Sequence, residues 1–439
     1  MEDPLPEAKM IYWAQLLHYY QPPTQHPSML RKISDESYRP LLQVFREYPH
    51  ARATVNFNGV LTEMLGDCGH KDIIDGYREL AQTGQIDFTG SAMDHAILPL
   101  LPEEEVRRQI SLNTQINTRL FGKVYSPKGF FPPEMCYSRD ILPLIAGAGY
   151  QWLILSGIAS PIDWPMDVIY NVETGGKKLA VFFRDDVLSN RISFQSIKAK
   201  DFVEHLQQWR GKRENIYVVT AMDAETFGHH IQDWERIFLA EVYEELGAQA
   251  ENLQDIQQKN ILAEQHAELL QNGLGKSQIK MVTISELNGL FPQTETIEPK
   301  ASSWSTNAED LAHNNPYPLW KDPNNPVHHL QWEHLKICIE VVKKAQECAK
   351  NDESRRHASI ARRLLDRAEH SCQMWWASKR PMWDLNLIHM GLLDQVRTIV
   401  NAYRALNRCD LDDETRRHFY YLTLAARDIR NKLEDLLVA

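Results

Sequence analysis

At 439 residues the chain is too long for one ordinary hydrophobic core, so two domains, or one barrel with an added domain, are expected. Its 43% hydrophobic and 24% charged residues are the composition of a soluble globular protein. The net charge of −11 argues against nucleic acid as the main partner, because phosphate binding needs concentrated Lys and Arg.

The N-terminal MEDPLPEAKM is acidic and has neither a basic leader region nor an apolar one, which predicts a cytoplasmic protein. MIYWAQLLHYY (10–20) reads as a buried strand stopped by Pro22 and Pro23. ARATVNFNGVLTEML (51–65) reads as a strand leading into a helix. KDIIDGYRELAQTG (71–84) is helical, QIDFTGSA (85–92) strand-like, and LPEEEVRRQISLNTQINTRLFG (101–122) a long helix with a proline and acids at its start. KGFF (128–131) is a short strand that two prolines end. ILPLIAGAGYQWLILSGIASPI (141–162) is the most apolar long window. Pro143, three Gly and Gln151 make it a helix ending near Gly147–Gly149, then a strand QWLILS, rather than a membrane span.

Strands KLAVFFR (178–184) and IYVVTAM (216–222) follow, with KMVTISEL (280–287) later. At least seven strand candidates alternating with helices predict a mainly parallel sheet closed like a barrel. Residues 235–275 are charged, Gln-rich and helical in pattern. The stretch 292–326 holds six Pro and reads as a boundary or a long functional loop. Four helical runs then reach the end, near 327–350, 354–378, 382–407 and 411–438. The expected division is a barrel over 1–291 with a helical insertion near 235–275, a connecting loop over 292–326 and a helical domain over 327–439.

Parallel barrels gather their chemistry at the C-terminal ends of strands. His18 and Tyr20 close the first strand, and Asp94 and His95 lie just past QIDFTGSA. Glu134 follows KGFFPP. Arg184, Asp185 and Asp186 close KLAVFF, and Asp223 and Glu225 close IYVVTAM. Five segments thus deliver ionisable groups to one expected rim. Glu134 and Asp223 form the best pair for acid/base and nucleophilic work on a glycosidic bond, which needs two carboxyls flanking it. Asp223 and Glu225 are two apart, so by spacing alone either serves as the acid. A bland reading stands beside each: Glu134 as a helix N-terminal charge, Asp223 as a turn residue, Trp375 and Trp376 as helix core. A metal site would have to be assembled from His18, His95, Asp223 and His229, with no HExxH motif and no Cys ligand pattern to support it. The six Cys form no CxxC and read as reduced, mostly buried thiols.

The ordered motifs resemble those of glycoside hydrolase family 57, the α-glucan-active family of amylases, amylopullulanases, 4-α-glucanotransferases and branching enzymes. LLHYYQPP (16–23) is similar to its first motif, HxHQP, and GQIDFTGSAMDHAILPLL (84–101) to its second. GFFPPEMCYS (129–138) is similar to the third, which carries the nucleophile, and MDAETFGHH (222–230) to the fourth, which carries the acid/base. The resemblance implies an α/β fold, an incomplete (β/α)7 barrel with an all-helical C-terminal domain. It implies Glu134 as nucleophile, Asp223 rather than Glu225 as acid/base, and retention through a covalent glycosyl-enzyme. His18, His95 and Arg184 would line the donor subsite, with Glu225 and His229 in support. Trp304 and Trp376, from SSWSTNAEDLAHNNPYPLW (302–320) and SCQMWWASKRPMW (371–383), are the aromatic substrate-binding candidates. No metal or organic cofactor is implied, and the implied partner is an α-glucan or maltooligosaccharide.

One departure stands out. The second His of HxHQP is Tyr20 here, which can bond a sugar hydroxyl but carries no charge near neutral pH. With water as acceptor the enzyme is an α-amylase acting on α-1,4 or α-1,6 bonds. With a sugar hydroxyl it is a 4-α-glucanotransferase or branching enzyme. A metal-dependent deacetylase or mannosidase-like hydrolase and a catalytically weak α-glucan-binding protein are the remaining alternatives.

Overall fold

The computed structural model describes residues 10–163, 166–209, 215–258 and 278–438. The first eight strands are β1 (Met10–Tyr19), β2 (Ala53–Phe57), β3 (Ile86–Gly90), β4 (Gly129–Phe130), β5 (Trp152–Ser156), β6 (Ile169–Thr174), β7 (Lys177–Arg184) and β8 (Asn215–Asp223). All but β6 run parallel, in the order β1-β2-β3-β4-β5-β7-β8, and β8 returns to β1. This is the expected seven-stranded α/β barrel. Its strands are buried on both faces, as their near-continuous apolar runs demand.

Closure is uneven. β7 and β8 pair in register at Arg184 and Val219, near the rim, where the Asp185 N–H also donates to the Val219 carbonyl at 2.7 Å. Lower down, Met166 bridges to Tyr217, and the Tyr217 hydroxyl donates to the Val168 carbonyl at 3.1 Å. A loop segment therefore fills the seam between the two strands.

Two glycines make room for large rings in the barrel wall. A Cβ on Gly129 would lie 2.0 Å from the Trp152 ring, and one on Gly90 would lie 2.1 Å from the Tyr150 hydroxyl. The large rings occupy the space those two residues leave empty. The helix Glu103–Phe121 packs outside with three Glu in its first turn, where the helix dipole favours acids. Its buried Asn113 accepts from the Gly59 N–H at 2.7 Å, and Asn117 donates to the Phe57 carbonyl at 2.9 Å. These bonds fix the turn that follows β2.

Three expectations need correction. Residues 280–287 are not one strand: β9 (Gln278–Val282) ends at Thr283, which caps the helix Ile284–Leu290 in a capping box with Glu286. β6 is an unforeseen strand, joined to β7 as a hairpin through Gly175 and Gly176, both at positive φ. β10 (Gln293–Thr296) extends the sheet beside β6 from within the expected loop. The expected insertion near 235–275 begins as helix through Gln258, and its remainder, 259–277, lies outside the described residues.

Beyond residue 325 the chain is helical: Pro326–Cys348, Asp352–Ala368, Cys372–Trp375, Leu385–Leu406 and Asp413–Val438. Asn325, Asn351 and Asp384 cap three of these helices with side-chain oxygens. The run expected over 354–378 breaks at Glu369–Ser371. There the chain leaves the helical path to meet the barrel rim, with His370 bridging to Ala96. Buried charges join the two regions. Arg362 pairs with Glu105 at 2.7 Å and with Asp366 at 2.9 Å, and Arg108 pairs with Asp366 at 2.6 Å.

Candidate active site

Register places the first groups. β1 is aligned so that His18 lies beside Asn56 of β2 and Asp223 of β8. The His18 Nδ1 and Asn56 Oδ1 are 2.7 Å apart, and Asn56 donates onward to Thr89 at 2.8 Å. Burial lowers the His18 pKa to about 4, so its ring is neutral. It stacks between Phe131, 4.7 Å away, and His95, 4.9 Å away. Tyr20 stacks on the His95 ring at 3.9 Å, and its hydroxyl lies 3.3 Å from the Cys372 sulfur.

Glu134 occupies the left-handed region at φ 57°, and Met135 follows at φ 49°. Two consecutive non-glycine residues there cost on the order of 1–3 kcal/mol each, strain that concentrates at functional sites. The fixed φ of Pro132 and Pro133 leads the chain into this turn. An antiparallel bridge between Tyr137 and Ser302 then draws the 302–304 segment alongside. The Trp304 N–H donates to the Glu134 carbonyl at 3.1 Å, and the Trp304 indole donates to Glu134 Oε2 at 2.6 Å. The other carboxyl oxygen lies 3.7 Å from His95 Nδ1. His95, itself at φ 58°, is held by the Ser371 hydroxyl at 2.8 Å.

Arg184 sits under the cavity wall. It donates to the Ala221 carbonyl at 2.8 Å, Asp186 at 2.8 Å and Asn190 at 2.9 Å, and its guanidinium lies over the Trp304 ring at 5.8 Å. Glu225 is buried and accepts from Gln21 at 2.9 Å and from the Tyr38 hydroxyl.

Three carboxyls thus crowd one place. Burial pushes Glu134 up to about 8, the nearby Asp223 charge adds to the shift, and the Trp304 donation opposes it. Burial raises Asp223 to about 6 against the pull of Arg184. Burial and then Asp223 raise Glu225 to about 7, against the bonds from Tyr38 and Gln21. Burial and mutual repulsion thus favour protonation within this cluster, an environment in which one carboxyl can act as acid and another as base or nucleophile.

The cavity they share has a volume of about 600 Å³. His18, Tyr20, Glu134, Arg184, Asp223 and Glu225 all line it, and so does Trp304. His95 lies behind them, fully buried. Two candidates fall elsewhere. His229 turns away to pair with Glu36 at 2.6 Å, and its neighbour His230 faces the cavity instead. Trp376 is 4% exposed and packs edge-on against His370 at 5.3 Å, within an apolar cluster with Val327 and Ile388. Trp375, one residue earlier and so on a different helix face, lines the cavity. His18, His95, Asp223 and His229 do not meet as a ligand set, and among the described residues no group of three or more metal-ligating side chains does.

Several lining residues were not singled out from the sequence. Gln21 stands in the quoted LLHYYQPP, so its motif was the available signal. Asn190 stands in the helix that follows KLAVFFR and Phe194 just after it, where no single residue stands out by type or spacing. Ser371 and Cys372 open the quoted SCQMWWASKRPMW, flagged only for its aromatics, and the break after Ala368 brings them to the rim.

A closed parallel barrel with buried carboxyls gathered at the C-terminal rim is the arrangement in which barrel folds place their chemistry. The chain belongs to glycosyl hydrolase family 57, whose family model matches residues 11–297. An α-amylase from Pyrococcus horikoshii is 26% identical over 244 residues, covering 53% of this chain and 37% of that protein. A 4-α-glucanotransferase from Thermococcus litoralis is 24% identical over 220 residues, covering 48% of this chain and 32% of that one. The matched stretch thus spans about a third of those relatives' own lengths. The crystal structure of a GH57-type branching enzyme from Pyrococcus horikoshii superimposes with a TM-score of 0.67 at 16% identity, covering 96% of this chain and 94% of that one. No described helix is long and apolar enough to cross a membrane.

Proposed function

We propose that the chain is a retaining α-glucan-active enzyme of α-amylase type. The observation that carries this reading is that Glu134 and Asp223 line one cavity, where burial raises the pKa of both. In the first step the Glu134 carboxylate attacks the anomeric carbon. The bond from that carbon to the glycosidic oxygen breaks as Asp223 gives that oxygen its proton. In the second step Asp223 takes a proton from the incoming water or sugar hydroxyl, whose oxygen displaces Glu134.

Burial favours the protonated form of Glu134 more than that of Asp223, whereas the first step needs the proton on Asp223. Bound substrate moves it. A glycosidic oxygen against Asp223 accepts a hydrogen bond only from the protonated carboxyl. The indole N–H of Trp304 meanwhile favours the ionised form of Glu134. Neutral His18 and Tyr20 offer hydrogen bonds to sugar hydroxyls without competing for that proton. Transfer to a sugar acceptor, as by a 4-α-glucanotransferase or branching enzyme, uses the same two carboxyls. All six cysteines are unpaired, which suits a reducing compartment such as the cytoplasm.

The test is product analysis after incubation with maltoheptaose, wild type beside Glu134→Gln. Shorter sugars of retained anomeric configuration are expected from a hydrolase, and a ladder both shorter and longer from a transferase. Glu134→Gln should lose roughly 10³-fold or more in rate. A variant with full activity would sink the assignment.

A further inference from the structure

A second groove, of about 860 Å³, lies on the same rim as the candidate active site. The helix Asp186–Ser193 stands between the two. Asn190, Ser193 and the residue after the helix, Phe194, line the catalytic cavity. Val187, Leu188 and Arg191 of the same helix line the groove. One short helix is therefore a wall common to both spaces.

The exposed edge of that wall is unusual. Val187 is 72% exposed and Phe194 is 78% exposed, among the most exposed large apolar side chains of the described residues. They are seven positions apart, which places them on one helix face about 10 Å from each other along the axis. Between them the same face carries the exposed Asn190 and the part-exposed Arg191, so the helix wall presents one apolar side chain at each end and polar groups in between. At the groove end stands Trp209, whose indole donates to His205 Nε2 at 3.2 Å and whose ring meets the His205 ring edge-on at 5.7 Å. Its orientation is fixed before any ligand arrives. Arg191, Gln208 and Asp185 supply polar groups around it.

Flat apolar surface bordered by hydrogen-bonding groups suits a sugar ring, which offers C–H faces and equatorial hydroxyls. Gly157, which also lines the groove, packs against the backbone of Arg184: a Cβ there would lie 2.6 Å from the Arg184 carbonyl oxygen.

We propose that this groove is a second binding site for the same α-glucan chain, engaging glucose units beyond those in the catalytic cavity after they cross the helix wall, with Val187 and Phe194 at its two ends and the polar Asn190 and Arg191 between them. The proposal rests on the α-glucan reading above. It makes the enzyme prefer long chains over short ones.

The experiment compares V187S and W209A with the wild type. The first substitution removes an exposed side chain and leaves the fold alone, which keeps the test valid if W209A folds poorly. Turnover of maltotriose and of amylose is measured for each. Retardation by soluble amylopectin in a native gel is measured in the inactive Glu134→Gln background. Both substitutions should lower kcat/KM for amylose and weaken retardation by about tenfold, with maltotriose turnover unchanged. Equal effects on both substrates, or none on either with retardation intact, would overturn the groove. A wild type that turns over maltotriose with no amylose preference defeats this proposal alone. A wild type that neither turns over nor binds any α-glucan defeats the parent reading with it.

Discussion

Trp304 contributes one hydrogen bond whose effect should appear in a pH profile. Its indole N–H meets Glu134 Oε2, and that bond stabilises the ionised carboxylate. With Glu134 near 8 and Asp223 near 6, the single-proton state of the pair spans the interval between them, and kcat/KM should be bell-shaped with its maximum near neutrality. Trp304→Phe removes the donor and raises the Glu134 pKa. The shared proton then rests on Glu134 more of the time, which is the wrong carboxyl for attack. A bond to a charged group is worth about 1.5–3 kcal/mol, so kcat/KM at neutral pH should fall roughly 10- to 100-fold. The alkaline limb should move to higher pH. An unchanged profile on a glucan substrate would show that the indole serves packing only.

At the scale of elements, the barrel owes its shape to places where a side chain is missing. β4 is short and begins at Gly129, against which the Trp152 ring lies flat. Gly129→Ala should destabilise the protein by about 1–3 kcal/mol, because the ring has nowhere to retreat within a packed core. Urea unfolding monitored by fluorescence measures it, and a loss below a few tenths of a kcal/mol would contradict the packing described here.

The same scale shows what could be read from sequence. Strands β1, β5, β7 and β8 were legible because parallel strands buried on both faces are continuous apolar runs ended by polar residues. Carboxyls at those ends followed directly. β6 was missed although ETGGKK holds a two-glycine hairpin turn, since IYNVET lacks a continuous apolar run. The break at Glu369–Ser371 was illegible for a deeper reason. Local helical pattern continues through it, and what stops the helix is the bridge from His370 to Ala96 and the bonds from His95 to Ser371, partners about 275 residues away. The phase of Trp375 against Trp376 depends on that break, so sequence alone does not tell which of the two faces the cavity.

Across the whole molecule, the barrel and the helical region meet through buried charge. Arg362 is 8% exposed on its side chain and faces Glu105, Asp366 and, at 3.7 Å, Glu369. Burial and the Glu105 charge hold Glu369 well above the usual carboxylate range, although Arg362 opposes them. Arg362→Met would leave these carboxyls without their cation, a change worth about 3–5 kcal/mol of stability. Thermal unfolding should show a markedly lower midpoint. Glucan turnover should fall too, because Gln109 ties Glu369 to the barrel next to the residues that hold His95.

The bond between Ser371 and His95 also bears on when the enzyme can work during its own synthesis. A ribosome makes the two carboxyls, Glu134 and Asp223, long before it makes Trp304, and Trp304 long before Ser371 and Trp375. A growing chain that has released only the barrel strands holds the reactive groups without the indole that orients one of them or the hydroxyl that steadies the histidine behind it. On the α-glucan reading proposed above, an unfinished polypeptide should stay silent towards glucan until the later helices have been translated and have docked.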